Sequence, residues 1–204
     1  MFILDADQGS ERWLLARLGI ATMSKASELI TPGGKPTTGN KRNKYLNTLL
    51  AEWLTGIPTE TFQSYWMARG TELEPESRDL YAMLKDVEPV QVGMVYKDAS
   101  KLIACSPDAL IGDDGLWESK SPAPHNQVQS LLKGIVPTQY IPQIQGQLFV
   151  TDREWCDFQS YCPGMPPLII RVNRDTKFIK TLSEELDCFI DELLEKREKL
   201  KAMK

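Results

Sequence analysis

The chain has 204 residues, and 24 Lys+Arg against 28 Asp+Glu give a formal charge of −4, with 42% hydrophobic content; this is the profile of one ordinary globular domain over residues 1–204 and excludes disorder and fibrous repeats. A chain of this size buries about 70% of the surface its unfolded form exposes, so it needs neither disulfides nor a structural metal to hold a core. Its cysteines, Cys105, Cys156, Cys162 and Cys188, contain no CxxC pair and accompany a single histidine, His125, which argues against a zinc finger, and Cys156 and Cys162, which would share one face of a strand, suit buried thiols in a reducing cytosol.

The start, Met1-Phe2-Ile3-Leu4-Asp5, lacks the basic n-region of a signal peptide, and no apolar run approaches the about 20 residues of a membrane span. The expectation is a soluble, intracellular protein with no membrane partner. Residues 31–40 are rich in Gly, Pro and Thr and predict a mobile loop. The loop opens into Lys41-Arg42-Asn43-Lys44, after which Tyr45, Leu46, Leu49, Leu50 and Trp53 recur at helical spacing. With Lys35, these cations form a purely basic stretch between Glu28 and Glu52 in an otherwise acidic chain, a composition suited to binding phosphate.

A second helical stretch runs from about residue 62 to residue 84, with Leu73, Leu80, Tyr81 and Leu84 on one stripe. Pro75 disfavours helical geometry at Glu74. Either a helix starts at Pro75 with Glu74 as its N-cap, or Thr71 and Glu74 form a capping box; in both cases Glu74 lies near a helix start.

From Val90 the period switches to two, which predicts strands over residues 90–96 and 102–105 and then a hairpin of residues 109–111 and 116–118 around Gly112-Asp113-Asp114-Gly115. An amphipathic stretch follows at residues 127–132, then a helix at 138–149, strands at 154–161 and 168–172, and a last helix that opens on a Thr181-x-x-Glu184 capping box and buries Leu182, Leu186, Phe189, Ile190, Leu193 and Leu194.

The segment that carries chemistry is Ser106-Pro107-Asp108, nine residues, then Glu118-Ser119-Lys120. Glu118 and Lys120 are i and i+2 on a strand and share a face. A three-residue loop, residues 112–114, sets Asp108 opposite Glu118, whereas a two-residue turn sends it to the other face. A shared acidic pocket demands the odd loop, which Gly112 and Gly115 make easy. Two close carboxylates without histidine select Mg²⁺ or Mn²⁺ over zinc. Lys120 beside such an ion can hold an attacking water and help remove its proton, or offset charge on a pentacovalent phosphate. Gln143 and Gln147, one turn apart on an otherwise apolar helix, are candidates for orienting that water.

Pro107-Asp108-x9-Glu118-x-Lys120 resembles the PD-(D/E)xK nuclease signature, and the wider pattern is similar to the phage lambda-type family of 5′-to-3′ exonucleases used in viral recombination. The likeness runs through Gln8-Gly9-Ser10-Glu11-Arg12-Trp13, the stretch from Arg17 to Ser24, Gly70-Thr71-Glu72-Leu73-Glu74, Ala104-Cys105-Ser106-Pro107-Asp108 and Tyr140-Ile141-Pro142-Gln143-Ile144-Gln145.

The resemblance implies an α/β fold with a restriction-endonuclease-like core, a mixed central β-sheet flanked by helices. It implies two Mg²⁺ ions, Mn²⁺ substituting, on Asp108, Glu118 and the Ser119 carbonyl. Lys120 would handle the water, and Glu74, acting through water, and Gln143 would complete the shell. It places Arg17 and Ser24 on the terminal 5′-phosphate of duplex DNA, with Lys35, Lys41, Arg42 and Lys44 lining a trimeric ring. The implied activity is a Mg²⁺-dependent deoxyribonuclease that leaves a 3′ overhang for a single-strand annealing recombinase, in the cytoplasm of a bacterial host carrying the phage or prophage. An endonuclease or junction resolvase of the same fold, and a non-catalytic DNA-binding scaffold, are the competing readings. Where lambda-type enzymes can carry an arginine after the ExK strand, this chain has His125-Asn126.

Overall fold

A computed structural model of the chain describes residues 2–59 and 65–203. In chain order the elements are β1 (Phe2–Leu4), α1 (Glu11–Ala16), β2 (Ala21–Thr22), a 3-10 helix (Met23–Glu28), α2 (Asn40–Thr55), α3 (Tyr65–Lys85), β3 (Met94–Tyr96), β4 (Ile103–Cys105), β5 (Ala109–Ile111), β6 (Gly115–Lys120), α4 (Pro124–Lys133), a 3-10 turn (Thr138–Tyr140), α5 (Ile141–Thr151), β7 (Trp155–Ser160), β8 (Leu168–Asn173) and α6 (Thr176–Lys201). The expected mixed α/β architecture is present, with its strands divided between two four-stranded sheets ordered β1-β3-β4-β2 and β5-β6-β7-β8.

Each sheet mixes directions. β3 runs antiparallel to β1 and β4, while β2 lies parallel to β4; β6 runs antiparallel to β5 and parallel to β7. A parallel neighbour needs a crossover, and α4 with α5 supplies it between β6 and β7. The α5 segment thereby lies beside the strand that carries Glu118.

One hydrophobic cluster joins Leu46, Leu49 and Leu50 of α2 to Leu182, Leu186, Phe189 and Leu193 of α6, together with Met23 and Ala26 of the first 3-10 helix and Leu29 at its C-cap. Each buried Leu, Met or Phe side chain here stabilises by about 1.5–3 kcal/mol. Gly146 on α5 permits close approach to the same 3-10 helix, because a Cβ there would meet Met23 Sδ at 2.6 Å. Gln143 and Gln147 of α5 line one cavity with Ser24.

Several boundaries differ from the sequence reading. The helix α3 continues through Pro75, so Glu74 is interior to a helix and caps nothing; residues 62–64 of the expected stretch lie outside the described residues. A mid-helix proline costs about 3 kcal/mol in isolation, and here tertiary bonds on the face of Ser77 and Tyr81 offset it. That face is the buried one, whereas Leu84 is exposed, because α3 packs over polar positions of β6 and β7. The helix α6 begins five residues before Thr181, capped by Asp175, whose carboxylate accepts from Lys177 and Phe178 N–H at 3.0 Å each; that cap satisfies the orphan donors earlier. The stretch 31–40 is anchored, with Thr31 N–H donating to Lys35 O at 2.7 Å and Thr37 N–H to Leu29 O at 2.8 Å. Cys105, Cys156 and Cys162 are buried free thiols, and Cys188 is an exposed one.

Candidate active site

The β5–β6 register pairs Ala109 with Trp117, Leu110 with Leu116 and Ile111 with Gly115. The connection is therefore the three-residue one, residues 112–114, and Gly112 takes the left-handed backbone it requires at φ 52°. Arg153 clamps this loop: its Nη1 donates to the carbonyls of Ile111, Gly112 and Gly115 at 3.2, 2.9 and 2.6 Å. Extending the register by one pair sets Asp108 across from Glu118. The Ser119 N–H donates to Asp108 Oδ2 at 2.7 Å, closing the two segments on one another.

Asp108 is also held from behind. Gln8 Nε2 donates to the Pro107 carbonyl at 2.9 Å, and Trp13 Nε1 donates to Ser106 Oγ at 3.0 Å. These residues belong to the quoted motif stretches, yet no pattern in the sequence assigns them this work.

Glu118 is fully buried, at 0% exposure. Three donors meet its carboxylate: Lys120 Nζ and Gln143 Nε2 reach Oε1 at 2.5 Å each, and Gln147 Nε2 reaches Oε2 at 2.7 Å. The expected glutamine pair thus acts on the carboxylate itself. Gln147 Oε1 is buried without a hydrogen-bond partner among the described residues.

Burial, followed by the charge of Glu118, pushes the Asp108 carboxyl well above its ordinary range, against the opposing pull of Lys120 and the Ser119 N–H. Burial pulls Lys120 down, but the charges of Glu118 and Asp108 outweigh it, and the amine is held above the usual lysine value. Glu74 is raised by burial first and then by Glu118, with Arg78 and Lys120 opposing. One ammonium therefore faces two carboxylates with a third nearby.

Two cavities meet at this wall. One of about 170 Å³ contains Arg17, Ser24, Asp108, Glu118, Lys120, Gln143 and Gln147. The other, of about 430 Å³, contains Glu74, Asp108, Ser119, Lys120, Asn126 and Tyr140. Arg17 Nη2 donates to Ser24 Oγ at 3.1 Å, and its guanidinium lies 4.2 Å from the Trp13 ring centroid. Among the described residues Arg17 forms no ion pair, with Glu11, Glu28 or any other carboxylate.

The basic stretch divides. Lys41 and Lys44 line a third cavity, shared with Arg17. Arg42 instead turns to α6, where Nη1 meets Glu192 Oε2 at 2.6 Å, and Lys35 sits in the Thr31–Lys35 turn and lines none of the three cavities. The expectation for these two cations as a basic lining meets a structural commitment in Arg42 and a separate location in Lys35.

Sequence patterns also miss a network behind Ser119. Ser77 Oγ lies 2.7 Å from Ser119 Oγ, and Gln159 Nε2 donates to both the carbonyl and the Oγ of Ser77 at 3.0 Å. A serine in a charged helix gives no signal of that role.

A divalent cation fits the chemistry of this donor set. The buried Glu118 and the half-buried Asp108 together exceed the single Lys120, and the excess is expressed in the raised Asp108. Hard oxygens without histidine suit Mg²⁺ or Mn²⁺, which keep waters and take few protein carboxylates. Among the described residues no three His, Cys, Asp or Glu side chains form a ready cage.

Residues 12–154 match the model of the YqaJ-like viral recombinase domain. The fold is similar to an alkaline exonuclease from Laribacter hongkongensis, at 32% identity and TM-score 0.86 over 95% of this chain and 97% of that one. The same enzyme in complex with dAMP aligns at 33% identity and TM-score 0.85, with the same coverage. A phage-related exonuclease from Haemophilus somnus 129PT shares the fold at 13% identity and TM-score 0.68, over 91% and 96% of the two chains. Among curated proteins none matches. On the family match and the close structural likeness together, the chain belongs to the YqaJ-like viral recombinase family.

Proposed function

We propose that this chain is a Mg²⁺-dependent exonuclease that degrades linear double-stranded DNA from the 5′ end and leaves a 3′ single strand for annealing recombination. The family and the likeness to an alkaline exonuclease support a deoxyribonuclease. The observation that carries the catalytic reading is the Asp108–Glu118 pair, closed by the Ser119 N–H and faced by Lys120, in one cavity with Arg17 and Ser24.

Asp108, Glu118 and the Ser119 carbonyl would hold two divalent cations, with Glu74 acting through water and Mn²⁺ able to substitute. When bound, such ions lower the pKa of a water and neutralise charge on phosphorus. Arg17 and Ser24 receive the terminal 5′-phosphate, the guanidinium offering paired N–H donors. Lys120, held as an ammonium by Glu118 and Asp108 in the metal-free chain, orients the water by donation and offsets charge on the phosphate. Gln143 and Gln147 keep the Glu118 carboxylate from rotating. Water adds to phosphorus, and the departing nucleotide leaves with a 3′-hydroxyl.

The reading extends to one nuclease domain over residues 1–204, a trimeric ring around DNA, a single-strand annealing partner and a bacterial cytoplasm under a phage or prophage. It needs no membrane anchor, and among the described residues no helix is long and apolar enough to cross a membrane.

Digestion of end-labelled linear duplex, with and without a 5′-phosphate, in Mg²⁺ and in EDTA tests polarity, metal and substrate together. Release of 5′-labelled nucleotide only in Mg²⁺, with closed circles left intact, is the expected result. Nicking of closed circles assigns an endonuclease instead, and cleavage in EDTA removes the metal.

A further inference from the structure

A cavity of about 490 Å³ adjoins the catalytic one through Arg17. Trp13, Arg17 and Thr22 line both, but Asp108, Glu118 and Lys120 line only the smaller. Arg17 is therefore a partition, with carboxylates on one side and a separate concavity on the other.

That concavity carries four cations, Arg17, Lys25, Lys41 and Lys44, against two carboxylates, Glu28 and Glu52. Glu52 is engaged by backbone: Oε2 accepts from Gly19 N–H and Oε1 from Thr59 N–H, at 3.2 Å each. Among the described residues Lys25, Lys41 and Lys44 form no ion pair, while Arg42 of the same helical turn, which lies outside the cavity lining, is paired with Glu192. With Arg17 given to the terminal phosphate, Lys25, Lys41 and Lys44 still outnumber Glu28 and Glu52 by one, which favours an anion in the concavity, and the volume is that of a ligand site. Continuity through Arg17 selects the anion: phosphate on the strand whose end Arg17 holds.

We propose that this cavity binds phosphate groups lying 5′ of the nucleotide being removed, either the outer phosphates of a polyphosphorylated 5′ terminus or the phosphodiesters of a short 5′ overhang. It rests on the reading of Arg17 and Ser24 as the terminal-phosphate site. Cleavage that leaves the next phosphate on the strand releases everything 5′ of the cut, so a triphosphate end yields a nucleoside triphosphate and an overhang yields an oligonucleotide.

The test uses linear duplexes that differ only at the 5′ terminus: hydroxyl, monophosphate, triphosphate, or monophosphate on a short overhang. Each is digested by the wild type, by Lys25→Glu/Lys44→Glu, and by Arg17→Ala. At least one of the two extended ends is expected to show a KM about fivefold below that of the monophosphate end and to release the extended product. The advantage is expected to vanish on charge reversal; Lys25→Gln/Lys44→Gln, shown to be folded by its thermal unfolding, is expected to reduce it. A gain confined to triphosphate identifies a compact phosphate chain, and one confined to the overhang identifies a threaded strand. Neither end outperforming the monophosphate, or an advantage that survives both double variants, overturns the proposal. Failure of the underlying reading is separately visible, as unchanged discrimination between hydroxyl and monophosphate ends in Arg17→Ala.

Discussion

Gln147 donates its side-chain amide to Glu118 Oε2 at 2.7 Å from a position only 1% exposed, one helical turn beyond Gln143, which takes Oε1. A buried carboxylate gripped at both oxygens cannot turn. Gln147→Met keeps the side-chain length and removes the donor, a hydrogen bond to charge worth about 1.5–3 kcal/mol. It also removes the partnerless Oε1, whose burial costs about 1–3 kcal/mol. The two changes nearly cancel in stability. The expected outcome is a kcat at least about tenfold lower, with KM for DNA and the melting temperature little changed, read by steady-state kinetics and thermal unfolding; an unchanged kcat removes Gln147 from the site.

Lys120→Ala is expected to lower turnover by about a thousandfold or more while calorimetric titration with Mn²⁺ still shows binding, because the oxygen donors remain. Lys120 offsets Glu118 and Asp108 from one place. Its loss also leaves the buried Glu118 and the half-buried Asp108 facing each other, so the metal-free variant melts below the wild type. Near-normal cleavage by Lys120→Ala sinks the role assigned to this residue.

Asp108 governs how the metal-free protein responds to pH. Its folded carboxyl is raised, by burial first and Glu118 second. The folded chain thus keeps this proton to higher pH than the unfolded chain. The stability it contributes is fully present below the ordinary carboxyl pKa and is lost as pH rises through the raised folded value. Asp108→Asn retains an oxygen for the Ser119 N–H and carries no charge. In EDTA at neutral pH it is expected to melt above the wild type, by roughly 2–4 °C for each kcal/mol of repulsion relieved, and Mg²⁺ is expected to raise the melting temperature of the wild type alone. A variant that melts at or below the wild type in EDTA contradicts this.

Arg17→Ala removes the guanidinium that donates to Ser24 and stacks on Trp13. Loss of charge-assisted hydrogen bonds to phosphate is expected to erase a preference for 5′-phosphorylated ends worth about tenfold to a hundredfold. Competition between phosphorylated and unphosphorylated duplexes in one reaction measures it directly.

Arg153 holds the register. Arg153→Ala strips three carbonyls of the hairpin loop of their donor, with an expected loss of about 3 kcal/mol, seen as a melting temperature roughly 10 °C lower. Activity is expected to fall with it, since Asp108 meets Glu118 only in the three-residue register. Arg153→Lys, which can satisfy part of the loop, should be intermediate in both measurements; equal activity in all three proteins dissociates the clamp from the site.

Glu118 and Lys120 were legible as a pair from the chain alone, because strand side chains alternate with a fixed period and no packing can separate i from i+2. The same holds for the amphipathic faces of α2 and α6, whose buried Leu46, Leu49, Leu186 and Phe189 follow from helical spacing. Pattern also narrowed Asp108 to two faces, and the three-residue loop, clamped by an arginine some forty positions away, chose between them. Glu74 was legible as a residue type near the site but not in its helical setting. Pro75 forbids continuity only locally, and the bonds of Ser77 and Tyr81 to β6 and β7 that offset it come from distant segments. Arg42 was indistinguishable from Lys41 and Lys44 until α6 placed Glu192 beside it. Periodicity and spacing are properties of neighbours along the chain, and so the sequence by itself determines them. Which donor meets which buried acceptor depends on segments that meet only on folding, and that the tertiary structure alone decides.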